Sequence, residues 1–242
     1  MSMKVLRRLI WDIKINIKIY HLLKLILALI APNYLKKQWA NKPFEDSSNS
    51  SENKRMNEFL CKLVAAQIAT ERLPKNITEI GCLNGIRLAE LSNYLRDDEV
   101  IYTGFDINEE AIVFGKKQYG HLTNLKMEVG DLFDFIDERK FDLVFNWAVL
   151  MYVHPFKIKD VLEKIILNSS TALIIEPSEN RYLYNKLIRR NYSYTHNYGR
   201  LITQIIGNRT DFLYQTFNMS HEVWKPKYGM PKVHIIKKID TI

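Results

Sequence analysis

Thr78-Glu79-Ile80-Gly81-Cys82-Leu83-Asn84-Gly85 is the stretch that decides the fold. It leaves an apolar, strand-like run at residues 77–80 and enters a helical pattern at 86–95. Glycine at such a turn adopts backbone conformations closed to other residues and lets a ligand approach the chain closely. The helix that follows begins with N–H groups that have no partner within it, and these can meet the polar end of a ligand. Only Gly81 and Gly85 are present, so the segment is not the dinucleotide pattern G-x-G-x-x-G.

Outward from this turn the chain alternates. Strand-like runs fall at 77–80, 100–105, 125–129, 141–145 and 171–175, with helical patterns at 86–95, 109–118 and 158–168 between them. That order implies a parallel sheet covered by helices on both faces. Residues 199–207 read as a helix, and 212–219 and 232–239 as two strands that must pair antiparallel, because no helical crossover separates them. The predicted fold is therefore α/β: a doubly wound, mostly parallel seven-stranded sheet with an antiparallel last strand, plus an N-terminal helical arm. A further helix over about 54–73 would turn Phe59, Leu63, Ala66 and Ile68 to a core and end at Pro74.

Polar residues tip these strands. Asp106 closes Tyr102-Thr103-Gly104-Phe105-Asp106, where a carboxylate can accept from both hydroxyls of a ribose. Asp131 follows the third strand in Val129-Gly130-Asp131-Leu132, as a ligand contact or as a helix cap. Asn146 ends the fourth, Phe141-Asp142-Leu143-Val144-Phe145-Asn146.

In this order, E-I-G-C-x-N-G, Y-x-G-x-D, G-D and F-D-L-V-F, the chain from about 73 to 178 resembles the class I family of methyltransferases that use S-adenosylmethionine (SAM). The resemblance implies SAM as cofactor and assigns roles by position. Glu79, Gly81 and Gly85 would shape the pocket for the methionine part, Glu79 reaching its ammonium group. Asp106 would hold the ribose and Ile107 flank the adenine. Asp131 would accept from the adenine amino group, Leu132 pack on the ring, and Asn146 offer its backbone carbonyl near the ammonium. Many members carry a middle glycine where Leu83 stands.

The acceptor is less legible. His154, in Trp147-Ala148-Val149-Leu150-Met151-Tyr152-Val153-His154-Pro155, follows the fourth strand on the same edge and is the candidate general base, or else a loop cap. Residues 178–198, which include Tyr192-Ser193-Tyr194-Thr195-His196-Asn197-Tyr198, would form an acceptor lid with His196 and Tyr198 facing inward. This segment loosely resembles acceptor regions of methyltransferases that act on bacterial surface sugars. The expected reaction is O-methylation of a glycan, a lipid-linked sugar or a small hydroxylated metabolite. Alternatives are a lipid or quinone acceptor at a membrane surface, or a non-catalytic SAM-binding scaffold.

Charge separates the chain into parts. Of its 35 basic and 27 acidic residues, eight basic ones and Asp12 lie in residues 1–40, which leaves 27 against 26 in the remainder. A nucleic-acid acceptor is therefore not expected, since phosphate neutralisation needs a basic binding face. Residues 4–21 project as an amphipathic helix, although 13–19 also alternate as a strand would. This arm suits an anionic membrane surface, or packing on its own domain or on the partner of a homodimer. Residues 41–53 read as a flexible linker, and the methyltransferase domain spans 54–242. Cys61 and Cys82 form no CxxC pair, no His/Asp/Glu group has metal-ligand spacing, and 19–30 lacks a small-residue cleavage pattern after it. A cytoplasmic location is expected, at the inner face of the membrane if the arm binds there.

Overall fold

A computed structural model describes residues 39–46, 50–69, 74–137, 139–177, 194, 196–220, 222–223 and 231–239. All of the basic arm except Trp39 and Ala40, and all of the lid except 194 and 196–198, lie outside the described residues.

Helix α1, Ser51–Ile68, starts earlier than its apolar pattern, because Ser50 caps it by accepting from the Asn53 N–H at 3.1 Å. Its buried stripe is Met56, Leu60, Leu63, Val64 and Ile68, while Ala66 is exposed and Phe59 only partly covered. The expected face was thus rotated by part of a turn, since the many apolar positions of this helix admit more than one stripe.

The remaining elements follow in chain order as β1 (Asn76–Ile80), α2 (Ile86–Leu95), β2 (Ile101–Asp106), α3 (Glu109–Tyr119), β3 (Leu125–Val129) and α4 (Leu132–Ile136). Then come β4 (Phe141–Trp147), α5 (Ile158–Leu167), β5 (Ser169–Pro177), α6 (Tyr198–Ile206), β6 (Phe212–Asn218) and β7 (Pro231–Lys238). The sheet has seven strands in the order β3-β2-β1-β4-β5-β7-β6. Strands β1 to β5 run parallel, and β7 lies antiparallel between β5 and β6. This is the doubly wound, mostly parallel sheet with antiparallel pairing at its end that the sequence predicts.

Alternation along the strands builds a core on each face. Leu143, Phe145 and Trp147 join Ile77, Tyr102 and Ile235 beneath α1 and α2, whereas Val144 joins Ile80, Phe105 and Ile236 against α5 and α6. The order of strands reverses between β1 and β4. Ligands of open parallel sheets bind in the crevice at the carboxyl ends of strands at such a switch point. Gly81, Asp106 and Asn146 all stand there. Among the described residues no helix is long and apolar enough to cross a membrane.

Candidate functional site

The glycine turn is fastened to β2 by two bonds, with the N–H groups of Gly81 and Cys82 donating to the Phe105 carbonyl at 2.9 and 3.0 Å. Gly81 and Gly85 have φ of 71° and 73°, and Leu83 shares the left-handed region at 54°. A side chain there costs about 1–2 kcal/mol. Leu83 is held in place by its own N–H, which donates to Asp106 Oδ2 at 2.9 Å. The Leu83 departure from the glycine pattern therefore preserves the turn and adds a tie to the Asp106 carboxylate.

The strand tips converge. Asp106 also accepts from the Asn108 N–H at 2.9 Å. Burial pushes its carboxyl upward, against the pull of the Asn108 and Leu83 N–H groups. Glu79 is fully buried; its Oε1 accepts from Arg87 Nε at 2.5 Å, and burial raises its carboxyl while Arg87 pulls it back. Among the described residues, Glu79 Oε2 and Asn146 Oδ1 are buried oxygens without a hydrogen-bond donor. They sit at the ends of adjacent strands, with Ile80 paired to Asn146. Buried acceptors are normally satisfied, so each of these atoms has capacity for a donor; by strand alternation Glu79 lies on the Phe145 face of the sheet and Asn146 on the Ile80 face. Asp131 caps α4 by accepting from the Phe133 N–H at 3.0 Å. Ile107 and Leu132 are half-buried just past β2 and β3, on the far side of Asp106 from the glycine turn.

Beyond β4 a turn over Val149, Leu150 and Met151 is built around a carboxylate that the sequence reading left without a role. Glu176, fully buried at the end of β5, accepts from Asn146 Nδ2 at 2.5 Å and from the N–H groups of Val149 at 2.8 Å and Leu150 at 2.6 Å. Its Oε2 accepts from Met151 N–H at 3.2 Å and Tyr198 OH at 3.4 Å. Burial still raises its pKa to about 7. The available signal was an acidic residue closing the apolar run of β5. His154 lies past this turn, half-buried between the rings of Phe156 and Tyr194 at 5.1 and 5.6 Å. Its Nδ1 accepts from the Phe156 N–H at 3.2 Å, which places the proton of the neutral ring on Nε2. His196 is 5% exposed and bonds through Nε2 to the Val153 carbonyl at 3.0 Å. Burial lowers its pKa to about 4, so the neutral ring donates there. It pins residues 196–198 to the His154 loop, and the Tyr194 N–H ties residue 194 there by donating to the Met151 carbonyl at 2.7 Å.

Residues 77–167 match the family described as "Methyltransferase domain". Over these residues the chain carries a methyltransferase domain, consistent with the class I, SAM-dependent family. No curated protein matches it in sequence. Among solved structures it is similar to the plantazolicin methyltransferase BpumL in complex with SAH, the demethylated cofactor S-adenosylhomocysteine (TM-score 0.60, 18% identity, 89% of this chain and 98% of that one). It is also similar to magnesium protoporphyrin IX methyltransferase from Synechocystis PCC 6803 with bound SAH (TM-score 0.57, 14% identity, 87% and 99%). A third is the methyltransferase domain of bacterial CtHen1 (TM-score 0.55, 13% identity, 76% and 99%). At these identities the likeness is one of fold.

The residues of the methyltransferase domain fit its cofactor. The unpaired Oε2 of Glu79 is an acceptor, and an ammonium group supplies only donors. Asp106 retains acceptor capacity on both oxygens for hydroxyl groups, since each oxygen takes one N–H. SAM, when bound, would supply an electrophilic methyl group on a sulfonium, and Glu79 and Asp106 would orient it. Asp106→Ala is expected to weaken SAH binding by about 1–3 kcal/mol, roughly five- to 150-fold, in calorimetry on a protein whose melting is unchanged. Equal affinity in that protein would remove Asp106 from the ribose site.

Proposed function

We propose that this methyltransferase domain transfers a methyl group to a hydroxyl of a small or glycan-type acceptor. The observation that carries this reading is the ring-lined rim beside the glycine turn: Tyr152, His154, Tyr194 and Phe156, the last 74% exposed. Aromatic rings offer flat apolar area to the CH faces of sugars or to planar molecules, with polar edges for their hydroxyls. The near balance of 27 basic and 26 acidic residues after Ala40 argues against a polyanionic acceptor.

Transfer forms an oxygen–carbon bond and breaks the carbon–sulfur bond in line, and the hydroxyl proton must leave. His154 is the candidate to take it, from the tautomer with a proton on Nδ1, which gives up the bond to Phe156. His154→Ala should keep SAH affinity and lower turnover by about 10² to 10⁴, the usual range for a general base. A turnover unchanged across the pH profile would leave His154 as a loop residue. Labelled SAM incubated with the protein and fractionated extracts tests the acceptor class: label in glycans or hydroxylated metabolites supports the reading, while label in lipid, protein or nothing at all points to a membrane acceptor, another substrate or a SAM-binding scaffold.

A further inference from the structure

Trp39 and the residues after it do not behave as a linker. Asn108, 2% exposed, donates through Nδ2 to the carbonyls of Lys42 at 2.8 Å and Trp39 at 3.2 Å. The Phe44 N–H donates to Glu110 Oε2 at 3.1 Å, and the Phe44 ring meets Phe114 at 5.0 Å. Both anchors belong to α3 and its cap, past β2. The Trp39 ring, in contrast, meets Tyr152 past β4, with centroids 4.7 Å apart, and Lys42 Nζ lies over its outer face at 4.5 Å. In the sheet β1 separates β2 from β4. Two strand spacings are roughly 10 Å. Trp39 therefore bridges the carboxyl end of β1, across the mouth of the Gly81 turn.

We propose that residues 39–44 form a strap that roofs the cofactor cleft and gives Trp39 to the acceptor wall, with Asn108 as the positioning residue that ties the strap to the cofactor site. The proposal rests on the methyltransferase reading. Asn108 is suited to this because every polar group it has is committed. Its backbone N–H donates to Asp106 Oδ1, its Oδ1 accepts from the Ala111 N–H to cap α3, and its Nδ2 holds the strap. A ribose held by Asp106 would thus stiffen the same residue that holds Trp39. The acceptor then meets the Trp39–Tyr152 ring pair after the cofactor is seated, which favours a planar or CH-rich face at that point.

Two variants separate the strap from the cap. Asn108→Ser keeps a good helix cap and the backbone bond to Asp106 but loses both bonds to the strap. Trp39→Ala removes the ring without touching α3, and Trp39→Phe restores part of it. The probe is SAH with full-length protein, read by calorimetry and by hydrogen exchange at the amides of residues 39–44. SAH is expected to slow exchange there in the wild type. In Asn108→Ser and in Trp39→Ala that slowing should be lost and SAH should bind roughly five- to 50-fold more weakly, with Trp39→Phe intermediate. Wild-type-like SAH affinity together with wild-type-like protection of 39–44 in either folded variant would overturn the strap. Failure of the wild type to bind SAH would instead overturn the cofactor reading, and the strap with it.

Discussion

Gly81→Val is expected to leave no measurable SAH binding. Gly81 has φ of 71°, and a Cβ added there would come within 2.4 Å of Val149 Cγ2. The left-handed backbone costs a branched residue about 1–2 kcal/mol or more, and the forced displacement of Val149 adds about 1–3 kcal/mol. Both penalties fall on the turn that carries the N–H groups and on the turn that Glu176 anchors, so the cleft deforms from two sides. Calorimetry with SAH, alongside thermal melting, measures the effect, and Gly81→Ala should lie between the two proteins. A folded valine variant with wild-type affinity would mean that the turn is not the cofactor cradle. Ligand space alone, which is the reason the sequence suggests, is the lesser part; Val149 already occupies the position where a side chain would go.

Glu176→Ala is expected to cost on the order of 3–5 kcal/mol of stability and most of the turnover. It deprives three backbone N–H groups and Asn146 Nδ2 of their acceptor at once, and each buried donor left alone costs about 1–3 kcal/mol before water enters the hole. The same carboxyl sets a pH dependence. Its folded pKa is raised from 4.5 to about 7, so between those values the folded protein keeps a proton that the unfolded chain releases. The stabilisation from this group is complete below about 4.5, falls as pH rises, and is lost above about 7, a change on the order of 3 kcal/mol. Burial lowers the pKa of His196 and of His234 to about 4, and these rings gain stability as pH rises through part of the same window. In denaturant melts the decline is therefore read as a difference: the wild type should lose stability relative to Glu176→Gln as pH rises. Equal slopes in the two proteins would exclude Glu176 as the titrating group.

These residues also show what a sequence discloses and what it does not. That Glu79, Gly81, Asp106, Asp131 and Asn146 would stand at or just past strand ends was legible because they lie at the close of apolar runs, and the sheet places strand ends together whatever the side chains in between. The paired roles were not legible. Arg87 reaches Glu79 across the turn, Asn108 reaches Trp39 across 69 positions, and Glu176 meets Asn146 only because β4 and β5 are neighbours. The apolar pattern of α1 gave a helix but not its buried face. His196 had the right address near the acceptor edge, yet its burial and its bond to Val153 make it a fastener of the loop. Local pattern specifies elements and tips; contacts distant along the chain emerge only once the sheet is assembled.

The placement of β7 carries a consequence for how the enzyme matures. Strand β6 precedes β7 in the chain, but its partner in the sheet is β7, which in turn pairs with β5, Lys232 lying opposite Glu176. On a ribosome, β1 to β4 and their helices can associate as they emerge, and the cofactor half of the cleft is then complete in outline. The sheet itself is not, because β5 keeps an open edge until β7 arrives, and β6 has nowhere to dock before it. A nascent chain halted between β6 and β7 would thus expose two unpaired strand edges, the kind of surface that recruits other strands. The order of synthesis would let the strands that end at Gly81 and Asp106 pair early and leave the closing of the β5 edge to the last strand made.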